Sequence, residues 1–324
     1  MAARLVALLA AVAMVVGAVA VRNRVDDQEE REGTTLRLVC SSELRAVCEA
    51  LDADEDHDVV ATVEPAATTA GRLTGLQPGQ DLDLDGWLVP APWPQMVDEA
   101  RERAGLERLL TPGPVVARSP VVLAVWPDRA ETLKPQCEGS QVGWKCLGDQ
   151  SGRRWSDIGG QAGWGPVKPG HPPVSSAAGL TVLGAATVTW FGRADLSRAD
   201  LDDEGYRTWL RRLERAIPPN TVPSVETMLV RGPAAFDAVG ALEAEAGPLL
   251  DRSARPEKPD LLYPSPVATA DVVLATATGR PAELLAELVA GAGGRVLAEE
   301  GWRVAGEDAA PGLDAALDLP PGNG

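Results

Sequence analysis

The chain has 324 residues and a formal net charge of −17 at pH 7, from 30 basic and 47 acidic side chains. This acidity argues against nucleic acid as a partner, because a phosphate backbone is bound by basic surfaces. A chain of this length can bury a large core and can fold as two lobes or two domains.

The N-terminus has the character of an export segment. An apolar run at 5–21 is flanked by arginines, at the lower limit of length for spanning a bilayer. Because 18–20 offers a small-residue cleavage site, a cleaved signal peptide and a retained anchor at 1–21 both stay open. We expect the rest outside the cytoplasm, secreted or anchored to the cell membrane, with a linker at 22–34 and a disordered tail at 305–324.

The four cysteines form two local pairs in the sequence, Cys40 with Cys48 and Cys137 with Cys146. Cysteines of exported proteins are usually oxidised, and four of them allow three connectivities. We favour the local connectivity, because each pair lies in what looks like one structural unit. A zinc site fits less well, since the spacings are wide and the chain has only two histidines. No metal and no other cofactor is predicted.

Strands alternate with helices along the chain, which predicts an α/β fold. A long β-branched segment at 114–126 is long enough to leave one lobe and enter another. Acidic stretches at 52–58 and 81–86 mimic calcium loops, but neither has the required glutamate at position twelve, so a turn and a strand are expected there. The other predicted strands are 36–40, 58–64, 81–89, 163–168, 261–266 and 271–276. The predicted helices are 43–51, 95–105, 177–191, 206–217 and 281–298, and the segment 225–231 is open to either.

Three pairs of hydroxyl side chains each follow a predicted strand and precede a helix: Ser41 with Ser42, Thr68 with Thr69, and Ser175 with Ser176. Either serine of the third pair can cap the helix that Ala177 opens, and an exposed helix N-terminus can hold an oxyanion or a polar head group. An ordinary capped helix is the alternative for one pair alone. In α/β sheets ligands lie beyond the carboxyl ends of strands, so the three pairs together predict a binding cleft.

On these elements and motifs the chain resembles the bacterial extracellular solute-binding proteins of the type 2 periplasmic-binding fold. The likeness is greatest to their molybdate/sulfate-like branch and to related actinobacterial substrate-binding domains, and it covers residues 34–304. It implies ligand-binding roles for the positions that match the family's motifs, which are Ser41, Ser42, Thr68, Thr69, Trp93, Ser175, Ser176 and Ala177.

The main departure from the molybdate-type pattern lies near residue 240. Leu242 or Glu243 stands where that branch places a ligand tyrosine, so both are counted as candidate ligand-binding residues. A leucine offers no hydrogen bond, and a carboxylate aimed into the cleft disfavours an oxyanion.

The resemblance implies two α/β lobes with mixed, mostly parallel sheets and a hinge of two crossing strands. The first lobe would hold 35–117 and 248–304, and the second 118–247. A monomer would capture a small polar solute between the lobes, an oxyanion among the candidates, and close on it. It would deliver the solute to an ABC permease for uptake, or serve in sensing.

Two alternatives are kept. The first is a membrane-anchored interaction protein with the same fold, favoured by the absence of a cysteine for lipid attachment after the apolar run. The second is a serine hydrolase that pairs Ser176 with His171. The chain lacks the Gly-x-Ser-x-Gly elbow of such enzymes, so we predict that it is not an enzyme.

Overall fold

The computed structural model describes residues 35–54, 57–280 and 282–304. The predicted export segment and linker at 1–34 and the predicted tail at 305–324 lie outside the described residues. No helix in the described part is long and apolar enough to cross a membrane.

Strands of the described residues form one connected sheet that runs through the molecule. Their order is β2-β1-β3-β8-β4-β6-β5, and β7 and β9 also pair with β4. The strands are β1 (Leu36–Ser41), β2 (Val59–Glu64), β3 (Gly86–Pro90), β4 (Leu110–Val125), β5 (Pro169–Gly170), β6 (Ala238–Leu242), β7 (Asp260–Leu262), β8 (Thr269–Ala277) and β9 (Arg303–Val304).

The helices alternate with these strands and cover the sheet, as the α/β prediction requires. They are α1 (Arg45–Asp52), α2 (Ala66–Gly75), α3 (Trp93–Arg103), α4 (Pro127–Leu133), α5 (Trp144–Gln150), α6 (Ala177–Phe191), α7 (Glu204–Ala216), α8 (Val225–Arg231), α9 (Glu243–Arg252), α10 (Ala282–Leu288) and α11 (Gly294–Glu299). The segment at 225–231, which the sequence left open, is the helix α8.

The long strand β4 belongs to two parts of the sheet. Its first part, Leu110–Pro120, pairs with β8, and its last part, Val121–Val125, pairs with β6 and, in part, with β7. We call the part around β2-β1-β3-β8 the first lobe and the part around β7-β6-β5 the second lobe. β7 and β8 follow one another antiparallel to β4, so two crossing segments join the lobes.

The sheet is mixed, as predicted, but its parallel pairings do not predominate. Among the described strands, three pairings are parallel and five are antiparallel. Each of the five antiparallel pairings includes β4 or β8, the two strands that pair with each other in the middle of the sheet. The predicted lobe boundaries at 117/118 and 247/248 fall inside β4 and α9, and the division at these residues stays a prediction.

Both disulfides are local, as predicted. Cys40 of β1 is bonded to Cys48 of α1, and Cys137 is bonded to Cys146 of α5. The first pair fastens a helix to the strand on which it packs, because Cys40 and Cys48 both lie in the buried core.

Three predicted elements differ in extent. The strand expected from residue 81 begins only at Gly86. The strand expected at 163–168 does not form: Ala162–Trp164 is a short 3-10 helix, and the two-residue strand β5 follows only at Pro169–Gly170. Pro166 has no N–H to donate to a ladder. The helix expected over 281–298 contains a π turn at Val289–Gly293, where three nearby glycines weaken the helix.

A buried ion pair with two further donors organises the second lobe. Nε of Arg129 donates to Oδ1 of Asp237 at 2.8 Å, and both side chains are buried. The other oxygen of Asp237 accepts from the Trp155 indole at 3.1 Å and from the Lys168 backbone N–H at 2.8 Å. Burial raises the pKa of Asp237, and the bonds from Arg129 and Lys168 act against that rise.

Candidate functional site

The carboxyl end of β1 and the start of α2, in the first lobe, meet the start of α6 from the second lobe. The backbone N–H of Ala67 donates to the Ser175 carbonyl at 3.0 Å. The backbone N–H of Ala178 donates to Oε1 of Glu43 at 2.8 Å. We call this contact region, formed by 41–43, 66–69, 175–178 and Glu245, the interlobe junction.

The start of α6 has the capped geometry that its sequence predicts, with Ser176 as the cap. Its hydroxyl accepts from Gly179 N at 3.0 Å and donates to the Pro173 carbonyl at 2.9 Å. A side chain at Gly179 would collide with the loop, because a Cβ there would lie 2.1 Å from the Pro173 oxygen. The Ser176 hydroxyl is therefore engaged within its own loop, while the side chain of Ser175 is exposed.

Substitution of Ser176 by alanine is expected to lower the free energy of unfolding by about 1 kcal/mol, the usual cost of losing a helix N-cap. Urea denaturation followed by circular dichroism measures it. Ser175→Ala is the matched control, since that side chain is exposed, and we expect almost no change. Equal effects of the two substitutions would contradict the assignment of the cap.

A polar group of the first lobe that the sequence did not single out contacts the start of α6. Oε1 of Glu43 binds the Ala178 N–H, where the partial positive charge of a helix N-terminus stabilises a carboxylate. Its other oxygen, Oε2, is buried and has no hydrogen-bond partner within the described residues. An acidic side chain of the first lobe thus occupies the position at which an anion would bind the second lobe.

A second carboxyl group lies close to Glu43. Burial raises the pKa of Glu245 to about 7, the charge of Glu43 adds to that rise, and a backbone hydrogen bond at Leu242 opposes it. At the junction, the charge of Glu43 therefore disfavours the ionisation of Glu245.

The two predicted residues near 240 are placed differently from each other. Leu242 is fully buried in the core at the end of β6. Glu243 lies at the start of α9, where its Oε2 accepts from Nε and Nη2 of Arg303 at 3.1 and 2.8 Å. Its Oε1 accepts from the Tyr263 hydroxyl. The carboxylate of Glu243 is thus already neutralised by a neighbouring arginine.

Two predicted site residues present buried polar atoms that have no partner within the described residues. These atoms are the Ser41 hydroxyl, which is fully buried, and the indole N–H of Trp93. Trp93 packs in one cluster with Val39 and Ala177, and Val39 shares a face of β1 with Ser41. Orphaned buried polar groups are rare in native proteins, and a bound water or ligand is one explanation for them.

The remaining predicted site residues of the first lobe are Ser42, Thr68 and Thr69. Ser42 is half-buried at the turn after β1, and Thr68 is exposed on α2. The hydroxyl of Thr69 is buried and donates to Oε2 of Glu64 at 2.8 Å. All three hydroxyl pairs lie in segments of the interlobe junction, since Ala67 beside the second pair bonds to the Ser175 carbonyl and Glu43 beside the first pair bonds to Ala178.

The side chains needed for a serine hydrolase are committed elsewhere. Nε2 of His171 contacts Oε1 of Glu214 at 2.8 Å, and its Nδ1 contacts the Pro172 carbonyl at 2.7 Å. Since the Ser176 hydroxyl is also engaged, it forms no hydrogen bond with His171. In the part of the chain that the structure describes, no group of three or more His, Cys, Asp or Glu side chains could hold a metal ion.

The contact between His171 and Glu214 predicts a pH dependence. Burial lowers the pKa of His171, but the hydrogen bonds to Glu214 and Pro172 and the charge of Glu214 outweigh it, so the pKa is raised. This stabilisation is fully present below the ordinary histidine pKa of about 6.5 and is lost as the pH rises through the raised value.

We therefore expect Glu214→Gln to destabilise the chain more at pH 6 than at pH 9. Urea denaturation at both pH values measures the difference. The exposed Glu287→Gln serves as the control and should show no such trend. A destabilisation by Glu214→Gln that grows toward pH 9 would contradict the ion pair.

The chain was compared with known proteins. No protein-family profile and no curated protein matches it. Its fold is similar to iron-bound HitA from Pseudomonas aeruginosa, with a TM-score of 0.58 and 16% identity over 89% of this chain and 92% of that chain.

Two further solved structures give similar matches. AfuA from Actinobacillus pleuropneumoniae, a periplasmic binding protein with bound fructose-6-phosphate, has a TM-score of 0.56 and 12% identity over 85% of this chain and 87% of its own. A ferric binding protein from Campylobacter jejuni has a TM-score of 0.56 and 10% identity over 85% and 88%. These likenesses show the two-lobed fold of the type 2 periplasmic-binding proteins. Membership of the molybdate/sulfate-like branch stays a prediction.

Proposed function

We propose that this chain is an extracytoplasmic solute-binding protein that captures a small polar solute at the interlobe junction. It would act with an ABC permease in uptake, or in sensing. The similar structures whose names describe periplasmic or ferric binding support this proposal. Two formed disulfides support a location outside the cytoplasm, where such bonds persist.

One observation carries the proposal. The Ser41 hydroxyl and Oε2 of Glu43, both at the interlobe junction, lack a partner within the described residues, as does the indole N–H of Trp93, which belongs to the same buried cluster as Ala177 of the junction. Each unsatisfied buried polar group costs about 1 to 3 kcal/mol, which a solute with matching polar atoms would recover. We infer that these three groups contact the solute.

The charges at the junction bear on the class of solute. The carboxylate of Glu43 already accepts a hydrogen bond at the N-terminus of α6, and the nearby Glu245 is itself difficult to ionise. An oxyanion would have to displace Glu43 and would meet the charge that remains. We therefore infer a neutral or positively charged polar solute, such as an amine, rather than molybdate or sulfate.

Melting temperatures of the full-length chain with a panel of solutes test this function. The panel holds molybdate, sulfate, sugars, amino acids and polyamines. A solute at a hundred times its Kd stabilises the folded state by about 2.7 kcal/mol. For a chain of this size that corresponds to a rise of roughly 5 to 10 °C. If no solute raises the melting temperature, solute binding is contradicted.

Two variants then test the site and the class of solute. Glu43→Gln is expected to weaken the binding of a cationic solute. Glu49 on α1 is exposed, so Glu49→Gln should leave that binding unchanged. If an oxyanion binds instead, and binds more tightly to the Glu43→Gln variant, solute binding stands and the inferred class is wrong.

The membrane-anchored interaction protein is kept as a second candidate function because of one specific contact. The start of α6 is satisfied by the protein's own Glu43, so the lobes close on each other without any solute. This candidate predicts no response to the whole panel.

A further inference from the structure

A surface groove on the second lobe is lined by arginine side chains and shares no residue with the interlobe junction. Its volume is about 590 Å³. Arg153 comes from the loop after α5, and Arg211, Arg212 and Arg215 come from α7. Ser151 and Thr208, which carry hydroxyl groups, also line the groove.

The groove concentrates positive charge in a chain of net charge −17. Within the described residues, only one carboxylate lies within ion-pair distance of these four arginines, that of Asp149 at 3.7 Å from Arg212. Arg153 donates to the neutral side chain of Gln150 at 2.6 Å, and Arg211 donates to Thr208 at 3.1 Å. Most of the positive charge in the groove is therefore uncompensated.

Helix stability explains only part of this arrangement. Cations in the last turn of a helix interact favourably with its dipole, which accounts for Arg215 near the end of α7. However, Arg211 and Arg215 are four residues apart, a spacing at which like charges destabilise a helix. Arg153 comes from a different segment altogether, so the α7 dipole does not explain its position.

We propose that this groove binds a phosphate-bearing anion with two or more negative charges. Guanidinium groups bind phosphate oxygens through two parallel hydrogen bonds, and several of them lining one groove match a multiply charged ligand better than a single carboxylate. The phosphate can belong to a compound in solution or to the head group of a lipid. This site would act independently of the interlobe junction.

Binding of inorganic tripolyphosphate to the full-length chain at low ionic strength is the first test, by isothermal titration calorimetry. The groove variant is Arg211→Gln/Arg215→Gln, and both side chains are exposed. The loss of two charge-assisted contacts is expected to raise the Kd for tripolyphosphate at least about tenfold. The control Arg198→Gln/Arg295→Gln changes two other exposed arginines and the same net charge, and it should bind as the wild type does.

Two further probes distinguish the source of the phosphate and the chemical class of the anion. Co-sedimentation with phosphatidylglycerol vesicles, reduced in the groove variant only, would support the proposal with lipid as the source of the phosphate. Citrate tests the class, because a carboxylate trianion that binds as tightly as tripolyphosphate would overturn the assignment to phosphate. Absence of binding to both phosphate probes, or equal binding by the groove variant and the wild type, would overturn the site.

Discussion

Replacing Asp237 with alanine is expected to lower the free energy of unfolding by about 3 to 5 kcal/mol, the usual cost of breaking a buried ion pair from one side. The substitution leaves the buried Arg129 guanidinium without its partner at 2.8 Å. It also removes the acceptor for the Trp155 indole and for the Lys168 N–H. The buried Trp155 indole is then left unsatisfied, and the guanidinium keeps only its bond to the partly exposed Asp128.

Urea denaturation of the wild type and the variant measures this effect as a shift of the midpoint at unchanged slope. Asp128→Ala is a closely matched control. Asp128 binds the same guanidinium at 2.7 Å, but its side chain is 45% exposed. Exposed ion pairs contribute at most about 1 kcal/mol, so the control should change little. Equal losses from the two substitutions would contradict the importance of burial here.

Glu245→Gln is expected to stabilise the chain at neutral pH and to leave it almost unchanged in acid. In the folded chain the pKa of Glu245 is raised to about 7, chiefly by burial and then by the charge of Glu43. The carboxyl group of an unfolded chain ionises near pH 4.5. Between these two values the folded state holds the proton that the unfolded state has released.

The sign of the pH dependence follows from that difference. Because the folded state binds more protons, stability falls as the pH rises from about 4.5 to 7, and the loss is complete above 7. At about 1.4 kcal/mol for each unit of pKa, the loss amounts to roughly 3 kcal/mol. Glutamine carries no charge at any pH, so the variant should lack this slope.

Urea denaturation at pH 5 and pH 8 tests the prediction. The gain from Glu245→Gln should be small at pH 5 and should approach about 3 kcal/mol at pH 8. The control Glu49→Gln changes an exposed carboxylate paired with Arg45, and it should be nearly neutral at both pH values. A gain of equal size at both pH values would mean that the carboxyl group of Glu245 is not desolvated.

Much of the fold was predictable because its signals are local. The apolar periodicity of α1 and the β-branched run of β4 identify those elements within a few residues. The two disulfides join cysteines that are eight and nine residues apart, so one strand–helix unit or loop holds each pair. Ser176 was one of the two expected N-caps, because capping depends on neighbours within three residues.

The interlobe junction was only partly predictable, for the opposite reason. The bond between Glu43 and Ala178 joins residues 135 positions apart, and no local pattern distinguishes Glu43 from the other acidic side chains of so acidic a chain. The pairing of β9 with β4 likewise depends on the folded path. The position near 240 was expected to supply a ligand contact, yet Leu242 is core and Glu243 binds Arg303, as only the tertiary structure could show.

Amide hydrogen exchange tests the proposed solute site at the interlobe junction most directly. The full-length chain would be measured with and without the solute that gives the largest rise in melting temperature. We expect slower exchange in the three segments 41–44, 66–69 and 175–179 together, with little change on α7. Protection confined to other parts of the chain, or no solute that alters the melting temperature, would contradict the proposed site.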